Sequence, residues 1–161
     1  MTKDPLENKK VLVVDDEPDV LETVGDLLHM CEVDKARDRE GALTLLRDHS
    51  YDAAILDIMG VHGYDLLEET KRRGIPTLML TANALSPDDF FKSIHSGADA
   101  YVPKDRLADI AIFLRDVLEA QSGHTKRGTW FKRLEAFFEE RFEADWRERE
   151  NQEFWKKYFY V

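Results

Sequence analysis

Carboxylate side chains follow two apolar runs of the sequence, each of the length expected for a strand buried on both faces of a parallel sheet. The run within residues 9–18 ends in Asp15 and Asp16, and the run within residues 51–60 ends in Asp57. Taken alone, Asp57 could simply cap the turn that follows it. Parallel strands end at one edge of a sheet, where diverging loops leave a crevice, so we expect the carboxylates to lie together. Such oxygens suit Mg²⁺, and an ionised aspartate beside this ion can attack a phosphoryl group to form an acyl phosphate.

Two more predicted strands end in groups that suit phosphate chemistry. Residues 75–81 end in the hydroxyl of Thr81, and residues 100–104 end in the ammonium of Lys104. A phosphoryl group in transfer carries charge on several oxygens, which a metal ion, an ammonium and a hydroxyl can stabilise from different sides. The carboxylates alone would repel one another, so without a cation at least one of them should have a raised pKa. The combination of these groups at four strand ends is far more specific than any one of them.

Strands and helices alternate five times between residues 9 and 121. A weak second strand covers residues 33–36. Helix start signals and apolar residues at helical spacing predict helices that begin at about Asp19, Glu40, Tyr64, Ser86 and Asp105. Short loops with right-handed helical crossovers require a parallel sheet that is covered on both faces. The expected fold is therefore an α/β, three-layer, doubly wound sheet of five parallel strands.

Four segments of the chain resemble the motifs of the receiver domain of two-component response regulators, and the similarity extends over about residues 8–121. They are Val11-Leu-Val-Val-Asp-Asp-Glu-Pro18, Leu56-Asp57-Ile-Met59, Leu80-Thr81-Ala82 and Gly97-Ala-Asp-Ala-Tyr-Val-Pro-Lys104. The resemblance implies a flavodoxin-like fold with strand order 2-1-3-4-5. It also implies a switch that accepts a phosphoryl group from a sensor histidine kinase or a phosphotransfer protein onto Asp57. The switch would relay this change to a protein partner or to self-association.

The resemblance also assigns roles to single residues at the proposed site. It implies that Asp16, Asp57 and the Met59 backbone carbonyl bind Mg²⁺ directly. Asp15 would act through water and through its pairing with Lys104. The ammonium of Lys104 would also stabilise the transferring group. These assignments make the acidic edge of the sheet a magnesium-dependent phosphoacceptor site.

Thr81 and Tyr101 would form the switch pair of such a domain. When the Thr81 hydroxyl moves to a phosphoryl oxygen it vacates space, and the Tyr101 ring can turn inward. The fourth helix and the fifth strand would then present a changed face. Met59 and Asn83, two residues beyond Asp57 and Thr81, would flank the phosphoryl group.

The loop after Asp57 departs from the family pattern. The family usually has a proline four residues and a glycine eight residues after the phosphoacceptor, whereas this chain has Val61 and Gly63.

Two other classes of protein fit parts of the pattern. An aspartate-nucleophile phosphatase typically has a second aspartate two residues after the nucleophile, where this chain has Met59. A receiver-like interaction module that never carries phosphate normally lacks an acid, the threonine or the lysine, and this chain retains all of them.

The composition limits the partners and the compartment. The 161 residues carry a formal net charge of −10, with the acidic excess in residues 1–123, so we expect no nucleic-acid partner. No segment is long and apolar enough to span a bilayer, and the first residues lack the apolar stretch of a signal peptide. We therefore expect a cytoplasmic protein without a membrane partner. The single cysteine, Cys31, excludes an internal disulfide and disfavours a zinc site.

A helical tail is predicted for residues 129–161, after a polar hinge at residues 122–128. Thr129 could cap its first helix, and the apolar pattern shifts near residues 145–153, which predicts a bend or two helices. The first helix has an apolar face that consists of Trp130, Phe131, Leu134, Phe137, Phe138 and Phe142. An apolar face with this many aromatic rings is unfavourable when exposed to water. We therefore expect this face to bind a second copy of the chain or a protein partner. Alternatively, the tail folds back on its own receiver domain, or homodimers form through the fourth helix, fifth strand and fifth helix.

Overall fold

The computed structural model describes residues 4–82 and 85–159. Within these residues the sheet has five parallel strands in the order β2-β1-β3-β4-β5, which confirms the predicted doubly wound topology. The strands are β1 (Lys10–Val14), β2 (Glu32–Ala36), β3 (Ala53–Asp57), β4 (Thr77–Thr81) and β5 (Ala100–Pro103). β3 and β4 are buried along their whole length. This burial explains why their sequences are continuous apolar runs without an alternating pattern.

Helices surround the sheet and connect its strands. They are α1 (Pro18–Leu27), α2 (Arg39–Asp48), α3 (Gly63–Arg72), α4 (Pro87–His95) and α5 (Ile110–Gln121). Ser86 caps α4, because its side chain accepts a hydrogen bond from the Asp89 backbone N–H at 3.1 Å, and Pro87 follows it as predicted. None of the helices in the described part of the chain has the length and apolar character needed to cross a membrane.

Two helices begin differently from the prediction. A 3₁₀ helix (Lys104–Asp109) precedes α5, which therefore does not start at Asp105. The reason is a kink at Arg106, whose backbone angles (φ −110°, ψ 21°) are not helical. Thr129 is the first residue of its helix and not the cap, because its hydroxyl donates to the Lys126 carbonyl oxygen at 2.9 Å.

The tail contains two helices separated by a turn, which confirms the predicted bend. It consists of α6 (Thr129–Arg141), a 3₁₀ helix (Trp146–Arg149) and α7 (Gln152–Phe159). The tail folds back so that α6 contacts α5 and β5. The apolar side chains predicted to bind another molecule are all buried within the chain: Trp130, Phe131, Leu134, Phe137, Phe138 and Phe142. The structure thus supports the fold-back alternative, because their apolar surface is already covered.

Candidate phosphoacceptor site

Three aspartates meet at the C-terminal edge of the sheet. Asp15 and Asp16 follow β1, and Asp57 is the last residue of β3. One carboxylate oxygen from each aspartate lies within 4.8 Å of the others. Asp15 and Asp57 are buried, with 0% and 4% of their surface exposed, whereas Asp16 is exposed. The site therefore contains two shielded carboxylates and one that faces solvent.

Lys104, the first residue after β5, points its ammonium group at these acids. Its Nζ lies 2.9 Å from Asp15 Oδ2, 3.3 Å from Asp57 Oδ1 and 3.7 Å from Glu17 Oε2. A single ammonium thus faces several carboxylates, and the excess negative charge suits a divalent cation. Glu17 was not among the site residues predicted from the sequence. Its place directly after two acids at a strand end was the signal that could have identified it.

Burial raises the pKa of the two buried carboxyl groups of this site, Asp15 and Asp57. Burial, followed by the negative charge of Asp15, raises the pKa of Asp57 to about 6, and Lys104 offsets only part of this effect. Burial also raises the pKa of Asp15, despite its hydrogen bond from Lys104. Burial alone would lower the pKa of Lys104, but the contacts with Asp15 and Asp57 outweigh it and raise that pKa. Lys104 therefore offsets only part of the cost of burying Asp15 and Asp57.

The loop that follows β3 is packed tightly against the acids. Gly60 has a left-handed φ of +86°, and a Cβ atom there would lie 2.4 Å from Asp16 Oδ2. A Cβ atom on Gly63 would lie 2.2 Å from the Asp57 carbonyl oxygen. Both positions therefore require glycine, for conformational and steric reasons. Val61 between them is buried and anchors the loop in the core.

Met59 belongs to the same pocket as the acids. The pocket is lined by Asp16, Glu17, Asp57, Met59, Gly60, Ala82 and Lys104. The Met59 side chain is largely exposed and has no ionisable group, so this position offers no acid for proton transfer. A role of the Met59 carbonyl as a metal ligand stays a prediction.

Thr81 and Tyr101 connect the site with the interior of the protein. Thr81 is the last residue of β4, Tyr101 lies in β5, and both are buried. The Tyr101 phenol donates to the Ser86 carbonyl oxygen at 3.4 Å and accepts from the Ser86 backbone N–H at 3.3 Å. Burial raises the pKa of Tyr101, so its hydroxyl stays protonated. Asn83, which was predicted to flank the site, lies outside the described residues.

A family profile described as the response regulator receiver domain matches residues 11–112, more than half of the chain. The sheet order and the cluster of acids agree with this match. The chain belongs to the response regulator receiver family of two-component systems. Members of this family are signalling domains and not classical enzymes.

Relatives with assigned names are similar to the first part of this chain. The DNA-binding response regulator MtrA of Mycolicibacterium smegmatis is 34% identical over 117 residues, which cover 66% of this chain and 51% of that protein. The heme response regulator HssR of Staphylococcus aureus is 38% identical over 99 residues, which cover 58% of this chain and 43% of that protein. The chain therefore spans about half the length of the curated relatives it matches.

A solved structure confirms the fold. The CheY-like response regulator receiver domain protein from Methanospirillum hungatei JF-1 is similar with a TM-score of 0.65 and 27% sequence identity. The similarity covers 74% of this chain and 100% of that one. The remaining part of this chain includes residues of the tail, which the family profile does not match.

Proposed function

We propose that this protein is a phosphorylation-dependent signalling switch that accepts a phosphoryl group on Asp57 from a sensor histidine kinase or a phosphotransfer protein. The observation that carries this proposal is the arrangement around Asp57. Carboxylate oxygens of Asp15 and Asp16 lie within 4.8 Å, and the ammonium of Lys104 lies 3.3 Å away. Membership of the receiver family supports the same function.

The Asp57 carboxylate is the nucleophile in this proposal. One of its oxygens attacks phosphorus while the bond between phosphorus and the donor nitrogen breaks, and the donor keeps the electron pair of that bond. The Lys104 ammonium lies close enough to approach the oxygens of the transferred group. The Thr81 hydroxyl, at the end of the adjacent strand, would donate a hydrogen bond to another of these oxygens. Asp57 must be ionised to attack, so its raised pKa makes added positive charge favourable for the reaction.

The side chains of this site fit Mg²⁺. The available donors are carboxylate oxygens, which this ion prefers, and one of the carboxylates faces solvent. We propose that Asp16, Asp57 and the Met59 carbonyl would hold the ion, with Asp15 acting through water. When bound, Mg²⁺ supplies positive charge that neutralises the acids and the transferred group.

We propose that the output acts on a protein and not on nucleic acid, because the chain has a net charge of −10. MtrA is named as DNA-binding, but about half of its length lies outside the match. In the proposed organisation, residues 8–121 form the receiver domain, residues 122–128 the hinge and residues 129–161 the tail. The switch would work in the cytoplasm.

Phosphorylation can be tested with Mg²⁺ and acetyl phosphate, followed by intact mass spectrometry. We expect a lasting adduct of about 80 Da, which is one phosphoryl group, on the wild-type protein. Asp57→Asn should remain unlabelled, whereas Asp26→Asn, a control at an exposed carboxylate of α1, should be labelled normally. Continuous turnover of the donor without an adduct would indicate a phosphatase. Neither adduct nor turnover would indicate an interaction module, and either result would overturn the proposal.

A further inference from the structure

A cluster of aromatic rings joins the tail to the surface that α4, β5 and α5 form. Phe90 of α4 is buried at the centre of this cluster. The ring centroids that lie 5.2–6.3 Å from that of Phe90 belong to residues from all parts of the tail: Trp130, Phe131, Phe138, Trp146, Trp155 and Phe159. Aromatic side chains of this kind bury large apolar areas. We call these contacts, together with the ion pairs around them, the tail interface.

Two ion pairs cross the tail interface. Arg133 of α6 binds both carboxylate oxygens of Asp116 of α5, at 2.7 and 3.1 Å, and Asp116 is buried. On the other side, His95 of α4 lies 2.5 Å from Glu150 of the tail. A bidentate pair between arginine and carboxylate adds geometric specificity as well as energy. The surface therefore recognises this tail by charge as well as by its apolar rings.

The hinge between α5 and α6 reverses the chain at Gly123. Residues 122–128 are mostly exposed, and Gly123 has a left-handed φ of +77°. Its N–H donates to the Ala120 carbonyl oxygen at 3.1 Å, which closes the turn. A Cβ atom on Gly123 would meet nothing within 4 Å, so glycine is needed here for backbone conformation and not for space. A side chain at this position would thus oppose the reversal without causing a clash.

The compact hinge also buries a polar group. The hydroxyl oxygen of Thr125 is buried and has no hydrogen-bond partner among residues 4–82 and 85–159. A buried hydroxyl without a hydrogen bond is unfavourable, and an extended hinge would return this group to water. The compact hinge therefore carries a cost that an extended hinge avoids.

We propose that the tail interface also forms between two copies of this chain, which exchange their tails to give a symmetric, domain-swapped dimer. Each tail covers α4, β5 and α5 of the other copy, and each hinge is extended. Every contact of the tail interface is kept, because the same residues meet in the other copy. Exchange of an identical element is a low-cost route to a dimer. This inference concerns self-association and does not depend on phosphorylation.

The monomer and the swapped dimer differ in the hinge and in the cost of association. A short linker gives a tail an effective concentration on the order of 1 mM at its own receiver, so we expect a dimer Kd of about this size. Gly123→Ala disfavours the left-handed turn of each closed chain by about tenfold. Because one dimer relieves two such turns, its Kd should fall by about 10²-fold, to about 10 µM.

Size-exclusion chromatography with light scattering tests the role of the hinge. The tail must leave its receiver before it can exchange, so the full-length chains are unfolded in urea and refolded at about 100 µM, between the two expected Kd values. We expect Gly123→Ala to be mainly dimeric and the wild-type protein mainly monomeric. His124→Ala is the control, because this neighbouring hinge residue is exposed and has no left-handed φ, and it should behave like the wild type.

Charge reversal tests whether the tails themselves are exchanged. Asp116→Arg in one chain and Arg133→Asp in another each place two like charges across the tail interface. In a swapped dimer with one copy of each, both tails meet an opposite charge again. We expect native mass spectrometry to show this mixed dimer after the two variants are refolded together, and not after either is refolded alone. The control chain with both substitutions restores the pair internally and should refold as a monomer.

Two results would overturn this inference. One is a Gly123→Ala protein that remains monomeric under these conditions. The other is the absence of the mixed dimer when the charge-reversed chains are refolded together, and this measurement also decides the matter if Gly123→Ala fails to fold. None of these experiments uses phosphorylated protein, so their failure would leave the proposed phosphoacceptor function intact.

Discussion

Replacement of Asp57 by asparagine should stabilise the metal-free protein at neutral pH. The pKa of this carboxyl is raised from 3.8 to about 6 in the folded protein, mainly by burial and by Asp15. Below pH 3.8 the carboxyl is protonated in both the folded and the unfolded state. Between the two pKa values the folded state binds more protons, so the free energy of unfolding falls as pH rises. Above about pH 6 the free energy of unfolding is lower by ~3 kcal/mol in total, because each unit of pKa difference corresponds to about 1.36 kcal/mol.

Asparagine does not titrate and therefore avoids this loss. The raised pKa already includes the attraction of Lys104, so the neutral amide should behave much like the protonated acid. The expected gain is ~3 kcal/mol at about pH 8 and below ~1 kcal/mol at about pH 4. For a protein of this size, the gain at the higher pH corresponds to a rise in Tm of about 6–12 °C.

Urea unfolding followed by far-UV circular dichroism, with EDTA present, measures this difference. Asp26→Asn serves as the control, because its carboxylate is exposed on α1. Saturating Mg²⁺ should reduce the advantage of Asp57→Asn, because a ligand that binds only the folded wild-type protein stabilises it. A gain of equal size at both pH values would refute the electrostatic reasoning. A loss of stability at neutral pH would refute it as well.

Three further substitutions test the site and the tail. Lys104→Ala leaves the buried Asp15 without the ammonium group that lies 2.9 Å away. The free energy of unfolding at neutral pH should therefore fall by about 3–5 kcal/mol. An unchanged midpoint of unfolding in urea would contradict the pairing. Gly63→Ala places a Cβ atom 2.2 Å from the Asp57 carbonyl oxygen, which displaces the backbone of the phosphoacceptor. Phosphoryl labelling should therefore slow by up to about 10²-fold. Normal labelling kinetics would show that the loop adapts to the added atom. Phe90→Ala removes the ring at the centre of the tail contact and should cost about 3–5 kcal/mol of unfolding free energy with a red shift of tryptophan emission. An unshifted emission spectrum in this variant would show that the tail docks without this ring.

The parallel sheet and the reactive groups at its edge could be predicted because the patterns that specify them are local. Four of the five strands are short apolar runs, and each reactive group stands at the end of its own run; the second strand, which is more polar, ends in none. Parallel topology then brings Asp57, Thr81 and Lys104 to one edge without any knowledge of side-chain packing. The start of α5 could not be predicted in this way, because residue 105 has good capping chemistry while the kink at Arg106 delays the regular helix.

The amino-acid sequence by itself determined which residues carry the chemistry and that the aromatic face of the tail must be covered. Only the tertiary structure decided what covers it, because a hydrophobic face specifies the removal of water and not the identity of its partner. The same limit applies to Tyr101, whose position under Phe138 depends on how residues far apart in the chain pack. The raised pKa of Asp57 likewise depends on burial and on distances between three strands, which no local pattern contains.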